Sequence, residues 1–177
     1  EQMIVRLGSL LRHTTETGSQ EVPLEREIEF LRAYLEIEQA RFHDRLTVGI
    51  DVPDELLGCS VPSLILQPLV ENAIRHGTGR LAGAGTVRIA AARQGDTLVL
   101  RVADNGPGLR PPGPDRGTGV SLRNIRSRLR HLYGNAAGLQ LGPAEEGGLE
   151  ATVSLPCRPA PAPQAASTTG GVDSPAR

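Results

Sequence analysis

The chain contains no tryptophan and no lysine, and two tyrosines and two phenylalanines hold its aromatic content to 2% of 177 residues. A core without large rings has to be assembled from Leu, Ile, Val and Ala. The same scarcity argues against the exposed stacking platforms on which single-stranded nucleic acids are held. Charge of one sign is also missing: 19 basic and 20 acidic residues leave a net charge of -1, so no global attraction draws the chain to nucleic acid or to an anionic membrane. Long apolar runs are absent. The longest, from Val61 to Val70, is interrupted by Pro62, Ser63, Gln67 and Pro68 and falls short of the ~20 residues a bilayer requires. The two cysteines, Cys59 and Cys157, lie far apart without metal-ligand spacing, which predicts neither a disulfide framework nor a zinc site and fits a reducing cytoplasm. No signal peptide is visible, and the helical pattern already under way at Glu1 predicts a longer parent protein.

What is present is strongly patterned. Ile4, Leu7, Leu10 and Leu11 share one helical face over residues 3–16, and Gly18-Ser19 break it. A long amphipathic helix is expected from about Pro23 to Leu46, with Leu24, Ile28, Leu31 and Leu35 as its stripe and Phe30, Tyr34 and Ile37 widening it. Pro23 suits a first turn, and Glu25 and Glu27 complement the positive end of the helix dipole. A short strand is expected over 47–52. A second helix is expected from Pro62 to His76, capped by Ser60 or Val61 and stopped at Gly77. Alternating residues over 86–92 and 97–103, joined through Gln94-Gly95-Asp96, predict a β-hairpin. A third helix from Val120 to Tyr133 precedes strands at Leu139–Leu141 and Leu149–Leu155. The expected fold is α+β: a mixed, mostly antiparallel sheet covered by helices on one face, in two layers, with an N-terminal helical segment. Three regions follow: the end of a helical segment over 1–18, a folded domain over 19–156, and a disordered Pro/Ala/Ser-rich tail over 157–177.

Three clusters carry chemistry. Asp104-Asn105-Gly106-Pro107-Gly108 closes a strand, which puts a carboxylate at the sheet's end where an exocyclic amine such as that of adenine could donate to it; Gly106 and Gly108 let the backbone approach a ligand. Read alone, the segment is equally a plain turn, since Asn-Gly and Pro-x-Gly are common turn sequences. Gly117-Thr118-Gly119 feeds a helix N-terminus, where free N–H groups and the dipole favour an anion, although a lone G-x-G also describes an ordinary flexible loop. No Walker A sequence exists, and no βαβ unit surrounds these glycines. Along Glu71-Asn72-Ala73-Ile74-Arg75-His76-Gly77, Asn72 and His76 share one helix face, with Glu71 and Arg75 in the adjacent row. The Asn72 oxygen is a suitable hard ligand for Mg²⁺, with the Glu71 carboxylate as a second candidate. An ordinary Glu71–Arg75 ion pair and a helix-ending His76 would account for the same residues. Arg126, Arg128 and Arg130 read as a solvated helix face, with Arg123, nearest the glycines, the one exception.

The ordered combination of E-N-A-x-x-H-G, D-N-G-P-G and G-x-G resembles the GHKL ATPase superfamily, which includes DNA gyrase, a heat-shock chaperone, mismatch-repair ATPases and histidine kinases. Over residues 3–156 the likeness is to LytS-like sensor histidine kinases, carried by P-L-E-R-E-I-E-F-L-R-A-Y-L-E-I-E-Q-A-R-F (23–42), V-P-S-L-I-L-Q-P-L-V-E-N-A-I-R-H-G (61–77), G-T-G-V-S-L-R-N-I-R-S-R-L-R-H-L-Y-G (117–134) and G-G-L-E-A-T-V-S-L-P (147–156). The resemblance implies a Bergerat-type ATP-binding fold that uses ATP and Mg²⁺ for transfer of the γ-phosphoryl group to a histidine and thence to a response regulator. Asn72 would hold Mg²⁺ against the phosphates, and Glu71 would polarise or deprotonate the attacking imidazole. Arg75 and His76 would face the phosphates. Asp104 would read the adenine amine with Thr152 supporting it. Gly106, Gly108, Gly117 and Gly119 would bound a lid that includes Thr118, and Asn124 would sit on the phosphate side. It also implies a homodimer through N-terminal helices in a membrane-bound sensor whose kinase portion is cytoplasmic, with no nucleic acid partner and no membrane contact by the residues present.

Departures from the family pattern are Ser121 in place of a glycine, Leu149 in place of a threonine, and a short Pro-rich stretch between Gly108 and Gly117. The H-F-x-F-N-type acceptor motif is absent. His13 falls where the family has an aromatic, and His43 and His131 read as helix-end residues. The expectation is a chain that binds ATP without phosphorylating itself. Alternatives with other demands on the sequence are a nucleotide-binding regulatory pseudokinase, which the intact Glu71 opposes, and a helical dimerisation module, which would need neither D-N-G-P-G nor G-T-G.

Overall fold

A computed structural model describes residues 20–42, 45–77, 84–108 and 117–160. The helix expected over 3–16 and most of the expected tail lie outside these residues. The chain runs β1 (Glu21–Pro23), α1 (Leu24–Phe42), β2 (Leu46–Asp51), β3 (Ser60–Pro62), α2 (Gln67–Asn72), β4 (Gly85–Gln94), β5 (Thr97–Asp104), α3 (Gly117–Tyr133), β6 (Gly138–Pro143) and β7 (Leu149–Pro156). Five strands form one mixed sheet in the order β2-β4-β5-β7-β6, with β2 parallel to β4 and every other pair antiparallel. The α+β expectation holds.

The core forms where sheet alternation meets helical stripes. Val87, Ile89 and Ala91 of β4, Leu98, Leu100 and Val102 of β5, and Ala151, Val153 and Leu155 of β7 are buried. Against them lie Leu24, Ile28, Leu31 and Leu35 of α1, Leu69 and Val70 of α2, and Leu122, Ile125 and Leu129 of α3. Each fully buried Leu, Ile or Val contributes roughly 1.5–3 kcal/mol of transfer free energy. The opposite sheet face is polar, crossed by Arg88–Glu146 at 2.8 Å and Arg101–Glu150 at 3.9 Å.

The second helix differs from expectation. Ser60–Pro62 pairs antiparallel with Glu21–Pro23 as a two-stranded sheet, and the helix begins at Gln67. Fully buried Val61 is held opposite Val22, and Leu64 then takes a left-handed φ of 57°, which a right-handed helix cannot contain. At its far end α2 widens into a π-helical turn over Ala73–Gly77, a deformation frequent at functional sites. The third helix starts at Gly117, so the G-T-G glycines form its first turn and do not precede it.

The chain does not leave the fold at Pro156. Cys157 N–H donates to Asp96 O at 2.8 Å, Ser60 N–H to Arg158 O at 2.7 Å and Ala160 N–H to Gly58 O at 2.8 Å. Residues 157–160 therefore edge the small sheet, where composition alone predicted a solvated tail.

Candidate functional site

Between the sheet and helices α2 and α3 is a cavity lined by Leu69, Asn72, Ala73, Val102, Asp104, Gly108, Leu122, Leu141, Leu149 and Ala151. Alternation along β5 places Asp104 on the core face after Leu100 and Val102, at the strand's last residue. It is 6% exposed. Burial raises its carboxyl above the ordinary 3.8, against the pull of N–H donation from Gly106 and Leu149. Gly106 N–H lies 2.8 Å from Oδ1. A carboxylate kept in an apolar cavity at a cost in free energy is the pattern of a ligand-reading group.

Asn105 has a different job. Its Oδ1 accepts from Thr86 N–H at 2.8 Å and its own N–H donates to Thr86 O at 3.3 Å, pinning the end of β5 to the start of β4. The glycines around it permit a close crossing. Gly148, at φ +87°, lies so near Asp104 that a Cβ there would fall 2.0 Å from the Asp104 carbonyl oxygen and 2.7 Å from Gly106 N. Gly108, at φ +73°, packs on Gly148 O. The D-N-G-P-G loop and the Gly-Gly turn before β7 thus form one wall of the cavity.

Asn72 stands across the cavity from this wall. Its Nδ2 is buried without a hydrogen-bond partner among the described residues. A buried amide left unpaired costs about 1–3 kcal/mol, a cost that a hydrogen-bond acceptor entering the cavity would remove. α2 has no side-chain cap of its own. The turn that leads into it is held by Glu27 of α1: the carboxylate accepts from the N–H groups of Leu64, of Ile65 at 2.9 Å and of Leu66 at 3.2 Å. Arg128 of α3 donates to Ser63 O and, at 3.0 Å, to Gln20 O. Glu27, expected as a first-turn acid complementing the helix dipole, is 4% exposed, and burial is the largest influence raising its carboxyl.

The remaining expected residues divide. Glu71 and Arg75 are exposed. Glu71 accepts from Gln67 Nε2 at 2.7 Å, and the ion pair to Arg75 is not formed. The backbone of His76 belongs to the π-helical turn and those of Gly117, Thr118 and Gly119 to the first turn of α3; the His76 and Thr118 side chains are outside what the structure describes. Asn124 and Arg123 are exposed on α3 and do not line the cavity. Thr152 is a correction: it pairs with Arg101 on the polar sheet face and its hydroxyl donates to Glu150 at 3.1 Å, so it gives Asp104 no support. The strand's period of 2 puts Ala151, not Thr152, on the cavity side. Sequence reasoning missed Gly148, whose signal was the Gly147-Gly148 pair, and the apolar lining, which strand alternation could have supplied.

A family model described as "Histidine kinase-, DNA gyrase B-, and HSP90-like ATPase" matches residues 61–159, and one described as "Histidine kinase" matches residues 1–46. The sensor histidine kinase BtsS of Escherichia coli K12 is 38% identical over 157 residues, covering 89% of this chain and 28% of its own length. The sensor protein LytS of Oceanobacillus iheyensis is 33% identical over 160 residues, covering 83% of this chain and 27% of its own. This chain therefore spans under a third of the length of these relatives. Among solved structures, the catalytic domain of histidine kinase ThkA superposes with a TM-score of 0.61 at 17% identity, covering 80% of this chain and all of its own. The histidine kinase domain of the Erythrobacter litoralis EL346 blue-light activated histidine kinase gives 0.59 at 17%, covering 88% and 73%. At such identities these structures establish the fold.

Proposed function

The chain belongs to the histidine kinase-, DNA gyrase B- and HSP90-like ATPase family, whose members bind ATP, and on that premise we propose that it is the catalytic unit of a two-component sensor histidine kinase. Bound ATP, accompanied by Mg²⁺, supplies the γ-phosphoryl group for transfer to a histidine and onward relay to a response regulator. The intact protein acts as a homodimer joined through its N-terminal helices, with this unit on the cytoplasmic side. Among the described residues no helix is long and apolar enough to cross a membrane.

The observation that carries the reading is one cavity holding a buried carboxyl at one end and an unpartnered buried amide at the other. Asp104 accepts the adenine amine while Val102, Leu141, Leu149 and Ala151 enclose the base. Asn72 would hold Mg²⁺ through its amide oxygen, and its buried Nδ2, a donor, would give a hydrogen bond to a phosphate oxygen. The described residues contain no cluster of three acidic, histidine or cysteine side chains suited to a metal, so Mg²⁺ would arrive with the nucleotide, as is usual for this ion. Glu71, exposed on α2 next to Asn72 and steadied by Gln67, takes the proton from the attacking imidazole. Phosphoryl transfer needs positioning and charge neutralisation more than covalent chemistry, which such a site can supply.

The test is a calorimetric titration of ATP with Mg²⁺ into the chain and into its Asp104→Ala and Asn72→Ala forms. The expected result is 1:1 binding, abolished in Asp104→Ala and losing its Mg²⁺ dependence in Asn72→Ala. Equal binding by the chain and Asp104→Ala would remove adenine from this cavity.

A further inference from the structure

The only two cysteines of the chain are separated by 98 residues, yet their sulfurs stand 2.7 Å apart as free thiols. Sequence separation argued against a disulfide; folding cancels that argument, because both backbones are fixed beside each other. Cys59 bridges Pro159, Ser60 and Ala160 hydrogen-bond across to Arg158 and Gly58, and Cys157 N–H is bound to Asp96 O. A disulfide bond, at ~2.05 Å, is a side-chain adjustment away.

We propose that Cys59 and Cys157 are a modification site, forming a reversible intramolecular disulfide that closes a ring around the nucleotide-binding unit. That ring contains every candidate site residue from Glu71 to Thr152, while α1 stays outside it. α1 hangs from the cross-linked segment, since Leu24 N–H donates to Cys59 O at 2.8 Å and Glu25 N–H to Leu57 O at 2.9 Å. Oxidation therefore fixes the junction between α1 and the unit that binds nucleotide.

The two sulfurs take different parts. Cys59 is buried, and burial with the hydrogen bond to Cys157 pushes its thiol up to about 11. Cys157 is half-buried, so it is the sulfur an incoming disulfide such as glutathione disulfide meets first. Cys157, having lost its proton to solvent, attacks one glutathione sulfur; the glutathione S–S bond breaks and one glutathione leaves as thiolate. Cys59 gives up its proton and attacks Cys157 Sγ, and the second glutathione leaves. Two protein thiols are oxidised by two electrons, and one glutathione disulfide becomes two glutathione molecules, which regain the two protons.

The test equilibrates the chain in glutathione buffers of graded ratio and reads alkylation, intact mass and thermal unfolding. The expected result is loss of both alkylatable thiols with the mass of two hydrogens, retention of the monomer, and a Tm about 10 °C higher from closing so long a loop. Dithiothreitol reverses all three. Slower hydrogen exchange at Leu24 and Glu25 amides is expected in the oxidised form. Cys157→Ser abolishes these changes, and Cys157→Ala serves the same purpose if the serine variant does not fold. Thiols that stay alkylatable in buffers that oxidise a vicinal dithiol control, or that yield only glutathione adducts or cross-linked dimers, would overturn the proposal. None of these readouts requires ATP, so the result is independent of the kinase reading.

Discussion

Asp104 is held in the cavity at the fold's expense. Its carboxyl is raised by burial, so the folded chain binds that proton more tightly than the unfolded chain does. Its contribution to stability is then complete below the ordinary value of 3.8 and is lost as pH rises through the raised value. Asp104→Asn keeps the size and an acceptor for Gly106 N–H but does not titrate. Urea unfolding at a series of pH values should show the variant gaining on the parent from about pH 4 upward, then levelling off. The same variant should bind ATP roughly 10- to 100-fold more weakly, the worth of a hydrogen bond to a charged group. Gly148 is the complementary case. Because a Cβ at that position would fall 2.0 Å from Asp104 O, and φ is +87°, Gly148→Ala has no unstrained solution. It should cost about 2–4 kcal/mol in urea unfolding and abolish nucleotide binding, whereas Gly58→Ala, with open space around it, should do neither. The D-N-G-P-G loop was legible in the sequence because a strand's alternation ends on Asp104. The contact with Gly148 was not, since nothing local says which backbone will cross it.

At the scale of elements, α2 is the informative one. A helix of six residues is far below the length that is stable alone, so its placement depends on what grips its ends. Glu27 grips the start by accepting three backbone N–H groups from 64–66, which leaves Asn72 at a fixed point in the cavity. Glu27→Ala strands those buried donors. It should lower stability by about 2–4 kcal/mol, read from the denaturant midpoint, and weaken ATP binding although residue 27 does not line the cavity. Loss of stability with unchanged ATP affinity in the folded fraction would mean that α2 finds its place without this grip. The stripe of α1 was readable from its period, and Leu24, Ile28, Leu31 and Leu35 are all buried. Glu27 sits one position from that stripe and reads as a dipole-complementing acid, because its partners lie 37 to 39 residues away. The start of α2 was misplaced for a related reason. Pro62 is a good first-turn residue locally, but pairing of β3 with β1 outweighs that preference.

Across the whole molecule, the chain's end is structural. Residues 158–160 lie along 58–60, and Cys59 and nearby Leu57 in turn accept from the first amides of α1. Ending the chain at Pro156 should therefore lower the Tm by several degrees, while ending it at Ala160 should leave it near the parent value; scanning calorimetry of the two would decide.

Composition, periodicity and motif order determined much of this protein by themselves. They placed the hairpin of β4 and β5, the helical stripes and an α+β layer arrangement, and they singled out Asp104 and Asn72, which the fold brings to one cavity. These properties are local, since they follow from alternation along a strand, the 3.6-residue period of a helix, and turn sequences. Tertiary structure alone decided the three amides of 64–66 on Glu27, Gly148 against Asp104, Thr152 on the wrong sheet face, and two sulfurs separated by 98 residues brought to 2.7 Å. Each depends on strand register or on which distant backbone passes nearby, and those are fixed by the simultaneous burial of every apolar face rather than by any one segment.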